Sequence, residues 1–247
     1  MTPHELDQRK QKILNAIVRD YQDSVEPVGS RTLAKTYLPD LSPATIRNEM
    51  ADLEEEGFIT QPHTSAGRIP TDLGYRFYVD RLMKIVKPTH HEEESIRGRI
   101  DQYSYNIDEV LHQTAKLLSH TLDYATIVFN FGSQRRLFSA GAPNLLHQPE
   151  FRDLEKIEKV LELLEEEEEL SELVDEYSRP NEITIKIGAE NKIKTIKDCS
   201  VVVATYEINH EPIGRIGLIG PTRMHYSKTA TLIDYVAREL SRVLSHE

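Results

Sequence analysis

The chain has 247 residues, 38% of them hydrophobic and 29% charged, which is enough for two domains of ordinary globular composition. Its net charge of −11 is almost all local: residues 150–176 carry 3 basic against 13 acidic side chains, whereas residues 1–88 carry 12 against 13, so nucleic-acid binding stays open for the N-terminal part. Strand-sized apolar runs (VVVAT, ATIVF), no basic-then-apolar leader and a single cysteine, Cys199, exclude a membrane partner, secretion, an intrachain disulfide and a cysteine-built zinc site, and a cytoplasmic protein is expected.

In chain order, LDQRKQKILNAIVRDYQD places Ile13, Leu14, Ile17, Val18 and Tyr21 on one helical stripe. EPVGS breaks it, and Ser30 is expected to cap a short helix, RTLAKTY, that turns Leu33, Ala34 and Tyr37 inward. LSPATIRNEMADLEEEG follows, with Ser42 as N-cap, Pro43 at the first helical position and Gly57 as the stop. FITQ reads as a strand, PHTSAGR as a loop and IPT as a return strand. Thr71 then caps a helix over DLGYRFYVDRLMKIV, and Pro88 with THHEEE reads as a hinge between domains.

Beyond it, helices are expected at 91–104 and 107–122, and strands at ATIVFNF and RRLFSAG. One amphipathic helix with an acidic face covers 150–176, with Leu154, Ile157, Leu161 and Leu164 on its apolar stripe. EITIKIG, CSVVVATYEI and PIGRIGLIG read as strands, the last two joined through residues 209–212, and a final helix runs from about Tyr226 to Leu244. The expected fold is α+β with an antiparallel sheet in the second half.

Three short helices and a hairpin give the order of a winged helix-turn-helix, in which a helix enters the major groove and the hairpin tip meets the backbone or minor groove. On the 42–56 helix, Ile46, Met50 and Leu53 face inward, and Ala44, Thr45 and Asn48 face outward with Arg47 at their flank. Asparagine and arginine there match base edges. In the wing, His63 and Arg68 flank Thr64, Ser65 and a narrow tip. Ser30, Arg31 and Ser42 are further candidates for the phosphate backbone. The same shape also serves protein–protein contacts, and Arg47 has an alternative role pairing with a nearby glutamate.

Elsewhere, Gly214, Gly217 and Gly220 do not form a dinucleotide fingerprint and are expected to let the terminal helix pack closely. His90 and His91 are not spaced for a metal, and Cys199 reads as a core thiol. Arg223 has three readings: ligand carboxylate, interdomain seal or structural cap, of which the structural role is preferred. No nucleophile motif and no cofactor motif stands out, so no enzyme is expected.

The stretch from SRTLAKTY to GYRFYVD, with HTSAGRIPT at its centre, resembles the N-terminal domain of the heat-inducible transcription repressor HrcA family. GAPNLLHQPEF and the terminal segment containing IGPTRM are similar to further landmarks of that family. The resemblance implies a winged-helix domain, 1–88, joined to a GAF-like domain, 89–247. It further implies a homodimer that represses chaperone genes at an inverted-repeat operator in double-stranded DNA, and a chaperonin that keeps the repressor competent. The groove helix would be Ser42 to Glu56 and the wing Pro62 to Arg68. The family's inserted dimerisation domain should fall between ATIVFNF and RRLFSAG, where only GSQ stands here. Helices at 91–122 and 225–244 remain for self-association, unless their stripes are intramolecular core. An alternative is a winged-helix regulator whose GAF-like domain senses a small molecule.

Overall fold

Asp7 starts the first helix by accepting hydrogen bonds from the backbone N–H groups of Arg9 and Lys10 at 2.8 and 2.9 Å. In this computed structural model, which describes residues 5–131, 135–177, 179 and 182–245, helix α1 (Gln8–Ser24) buries Ile13, Leu14, Ile17 and Val18 completely. Each such side chain stabilises the fold by about 1.5–3 kcal/mol. The chain divides into two compact units, Met1–Lys84 and Ile85–Glu247.

In the first unit, α2 (Ser30–Thr36) is capped one residue earlier than expected. Gly29 holds the extended N-cap conformation without a side-chain bond, and Ser30 is the first helical residue, buried rather than capping. Helix α3 (Pro43–Glu55) follows its sequence signals: the Ser42 hydroxyl accepts from Thr45 N–H, Pro43 sits at the first position, and Ile46, Met50 and Leu53 are buried. Gly57 ends it with φ of 82°, a left-handed conformation that glycine adopts without strain. Strands β1 (Ile59–Thr60) and β2 (Ile69–Pro70) pair antiparallel, Ile59 opposite Pro70 and Thr60 opposite Ile69. Thr71 caps α4 (Asp72–Phe77), accepting from Gly74 N–H and donating to the Gly57 carbonyl at 2.6 Å. The expected long helix is shorter than its apolar stripe suggests, loosening into a π-turn at Tyr78–Leu82.

In the second unit, the polar run after Pro88 starts a helix. Thr89 and Glu92 form a reciprocal capping box for α5 (His90–Gln102). Then come α6 (Ile107–Leu122), β3 (Ala125–Asn130), β4 (Arg136–Ala140) and the short α7 (Ala142–Leu146). The acidic segment is two helices, not one: α8 (Leu154–Glu165) and α9 (Glu167–Tyr177) break at Glu166, whose ψ is 92°. Strands β5 (Thr184–Ile187), β6 (Cys199–Ile208) and β7 (Glu211–Pro221) precede α10 (Tyr226–Leu244). The turn between β6 and β7 is tighter than expected, two residues, Asn209 and His210, with φ of 51° and 67°.

The five strands form one antiparallel sheet in the order β4-β3-β7-β6-β5, a GAF-like α+β arrangement. One face, including Ile127, Val201, Val203 and Ile219, is covered by α7, α8 and α9 through Leu145, Val160, Leu170 and Val174. The other face carries α10, where the Ser200 and Tyr226 hydroxyls meet at 2.7 Å. Buried side chains of α10 run from Tyr226 through Ile233, Val236 and Leu240 to Leu244, so its apolar stripe is intramolecular core.

The strand glycines also differ from expectation in their partners. A Cβ on Gly214 would stand 2.1 Å from the Tyr206 ring, on Gly217 3.4 Å from Val174 of α9, and on Gly220 2.7 Å from Tyr124. The close packing is real, but it serves neighbouring strands, α9 and an aromatic ring rather than the terminal helix. Tyr206 is fully buried and donates to the Phe129 carbonyl at 2.9 Å. Burial pushes its phenol well above the usual range and keeps it a donor. Arg223 is structural: buried, it donates to Glu150 and to Gln148, both at 2.6 Å. Cys199 is buried at the start of β6, as a core thiol should be. Residues 132–134, where an insert was expected to be missing, lie outside the described residues.

Candidate nucleic-acid interface

The candidate residues of the first unit come together around one groove of about 490 Å³ between the start of α2, the side of α3 and the wing. Ser30, Arg31, Arg47, Thr64, Ser65 and Arg68 all line it. Helix α3 supplies a second set beside it: Ser42, Ala44 and Asn48 are exposed and Thr45 is half-buried. Ser42 and Thr45 are tied to each other, hydroxyl to hydroxyl, at 2.9 Å. The large apolar side chains of this helix, Ile46, Met50 and Leu53, all face inward.

Charge distinguishes the groove from the rest of the unit. The side chains of Arg31, Arg47, Asn48 and His63 are exposed and make no hydrogen bond or ion pair among the described residues. On the side of α3 toward α1, by contrast, Lys10 lies 3.1 Å from Asp52 and 3.5 Å from Glu49, and Arg9 lies 3.1 Å from Glu49. The hydrogen bond to Asp52 raises the Lys10 ammonium above its ordinary range. Two of the four acidic residues of α3, Glu49 and Asp52, are thereby engaged away from the groove, and among the described residues Arg47 pairs with none of the four, so its alternative role in a glutamate pair is not realised.

The wing departs from expectation in where its arginine sits. His63, Thr64 and Ser65 form the exposed tip, but Arg68 lies at the base and is half-buried. Its backbone exchanges two hydrogen bonds of 2.9 Å with Val28, and its guanidinium meets Glu54 of α3 at 2.8 Å. Gly67 is small for an internal reason: a Cβ there would lie 2.4 Å from the Val28 carbonyl group and 2.5 Å from the Pro27 oxygen.

Two residues were missed by sequence reasoning. Glu54 is one, because its partner lies fourteen positions away with no periodicity to announce it. Gln61 is the other: its side-chain amide donates to the Thr64 carbonyl at 3.1 Å and to the Ala66 carbonyl at 2.9 Å, spanning the tip from inside. Gln61→Ala should speed amide hydrogen exchange across residues 63–66 about fivefold, as loss of a bond of about 1 kcal/mol predicts. Unchanged exchange would show that the tip is held without it.

Among the described residues, no group of three or more histidine, cysteine or acidic side chains is placed to hold a metal ion. No helix of the described residues is long and apolar enough to cross a membrane.

Comparison with known proteins joins this geometry to a family. Residues 89–230 match the family described as HrcA protein C terminal domain. The heat-inducible transcription repressor HrcA of Desulforamulus reducens is 33% identical over 338 aligned positions, covering 97% of each chain. That of Moorella thermoacetica is 33% identical over 339 positions, with 97% of this chain and 98% of the relative covered. The 338 positions exceed the 247 residues here by 91, so at least that many positions of the Desulforamulus protein have no counterpart in this chain. A crystal structure described as that of a hypothetical protein at 2.2 Å resolution shares the fold, with a TM-score of 0.81 at 22% identity over 98% of this chain and 99% of that one. The protein therefore belongs to the HrcA family of heat-inducible transcription repressors.

Proposed function

We propose that this repressor acts as a homodimer on an inverted-repeat operator in double-stranded DNA, with α3 in the major groove and the 62–68 wing on the backbone or minor groove. The observation that carries the reading is the set of exposed cations and amide around the groove, Arg31, Arg47 and Asn48, whose side chains make no hydrogen bond or ion pair among the described residues. Asn48, Thr45 and Arg47 read base edges, where a side-chain amide matches adenine and a guanidinium matches guanine. Arg31, Ser42, Thr64 and Arg68 fix the register on phosphates, with Ala44 and Ser30 keeping the approach close and His63 and Ser65 at the tip. The protein performs no catalysis, works in the cytoplasm, and is kept competent by a chaperonin.

Fluorescence anisotropy tests this with a full inverted repeat, a half-site and a scrambled duplex at near-physiological salt. Asn48→Ala should weaken binding to the repeat roughly ten- to hundredfold while hardly changing binding to the scrambled duplex, as befits loss of a base contact of about 1–3 kcal/mol. Equal losses on both would remove Asn48 from base readout. Indifference of the unaltered protein to the three duplexes would overturn the operator reading itself.

A further inference from the structure

The guanidinium of Arg68 is held along one edge only. Its Nε and Nη2 both approach the same oxygen of Glu54, Oε2, at 2.8 Å, while Nη1 makes no bond among the described residues. The pair is partly shielded, with side-chain exposures of 20% and 33%. A guanidinium carries five N–H donors in a rigid plane, so fixing one edge fixes the direction of the other. The free edge belongs to the residue that lines the groove together with Arg31 and Arg47.

Three guanidinium groups around one small groove repel one another. Glu54 is the carboxylate that contacts one of them, and it stands on α3, the helix that also carries Arg47 and Asn48. The wing base is therefore tied to the groove helix through a charge-assisted contact in addition to the backbone bonds to Val28. Gln61 holds the tip separately, so the two ends of the wing have independent supports.

We propose that Glu54 is a positioning residue for DNA binding: by gripping one edge of Arg68 it presents the opposite edge to a single backbone phosphodiester seated in the groove between α2, α3 and the wing. This rests on the DNA-binding reading above. Glu54 is an acidic residue that strengthens binding to a polyanion, which is the opposite of what its charge alone would do. The sign of its effect must then depend on whether Arg68 is present.

The test is a double-mutant cycle on the full chain, using affinity for the inverted-repeat duplex at two salt concentrations, with melting temperature as a control for folding. With Arg68 in place, Glu54→Ala should weaken binding about tenfold, the value of one oriented charge-assisted contact. In the Arg68→Ala background the same change should tighten binding, because only a repelling carboxylate is then being removed. Arg68→Ala alone should make the dependence of affinity on salt shallower by about one contact. Glu54→Gln keeps an acceptor for Arg68 and should retain most of the affinity. If Glu54→Ala tightens binding in both backgrounds, Glu54 is a repelling charge and the proposal fails. If the unaltered protein shows no preference for the repeat over a scrambled duplex, the failure lies in the operator reading, which this result distinguishes from the other.

Discussion

Gly67→Ala should weaken operator binding severely while leaving the second unit folded. The new Cβ would meet the Val28 carbonyl group at 2.4 Å, and that neighbour is backbone, with no rotamer by which to yield. The two 2.9 Å bonds between Val28 and Arg68 must part to make room, which costs about 0.5–1.5 kcal/mol each in addition to about 1–3 kcal/mol of overpacking. Arg68 leaves with the wing base, so the grip of Glu54 on its guanidinium is lost at the same time. Anisotropy with the inverted repeat should show a loss of about a hundredfold or more, since misplacing several contacts together loses a multiple of about 1.4 kcal/mol per decade. Calorimetry of the full chain should show the first unit melting lower and the second unchanged. Retained operator binding would mean that the wing does not take part in recognition.

Gly214→Ala should cost a comparable amount of stability, and it acts on the other unit. The methyl group would stand 2.1 Å from the Tyr206 ring carbon and hydroxyl oxygen, and 2.3 Å from the Phe129 carbonyl. Those are the two partners of the buried Tyr206 hydrogen bond, so the substitution forces the ring away and strips the phenol of its acceptor. An orphaned buried hydroxyl costs about 1–3 kcal/mol beyond the strain of overpacking. A loss of about 3–5 kcal/mol is expected, read as a lower midpoint of denaturant unfolding with an unchanged slope. Gly217→Ala, whose Cβ would be in ordinary reach of Val174 at 3.4 Å, should be far milder. Equal effects of the two would show that the Tyr206 packing is not what demands Gly214.

Local signals account for most of what the sequence disclosed. Ser42, Pro43 and Gly57 bracket α3 within sixteen positions, and each acts through its own backbone or a neighbour three residues on. Thr71 was legible for the same reason. Ser30 was misread by one position because a serine and a glycine in succession are both acceptable N-caps. The break at Glu166 has no glycine or proline to mark it, and a run of five glutamates continues the helical pattern through it. The candidate interface shows the same division. Its exposed residues on α3 follow from helical period alone. The seat of Arg68 depends on Glu54 and Val28, contacts set by tertiary packing that no spacing in the chain encodes.

The placement of β7 at the centre of the sheet has a consequence for how each new molecule is made. Its neighbour β3 is paired through Thr126 and Leu218, so the middle of the sheet joins segments ninety-two residues apart. The covering helix α10 is later still. A ribosome that has finished β3 and β4 has produced a two-stranded edge with no centre, and it must emit most of the remaining chain before the sheet can close. Pairings this distant in sequence are slow to form and leave apolar strands uncovered meanwhile. Closure of the sheet is thus a late event in the making of each molecule, completed only after most of the second unit has been synthesised.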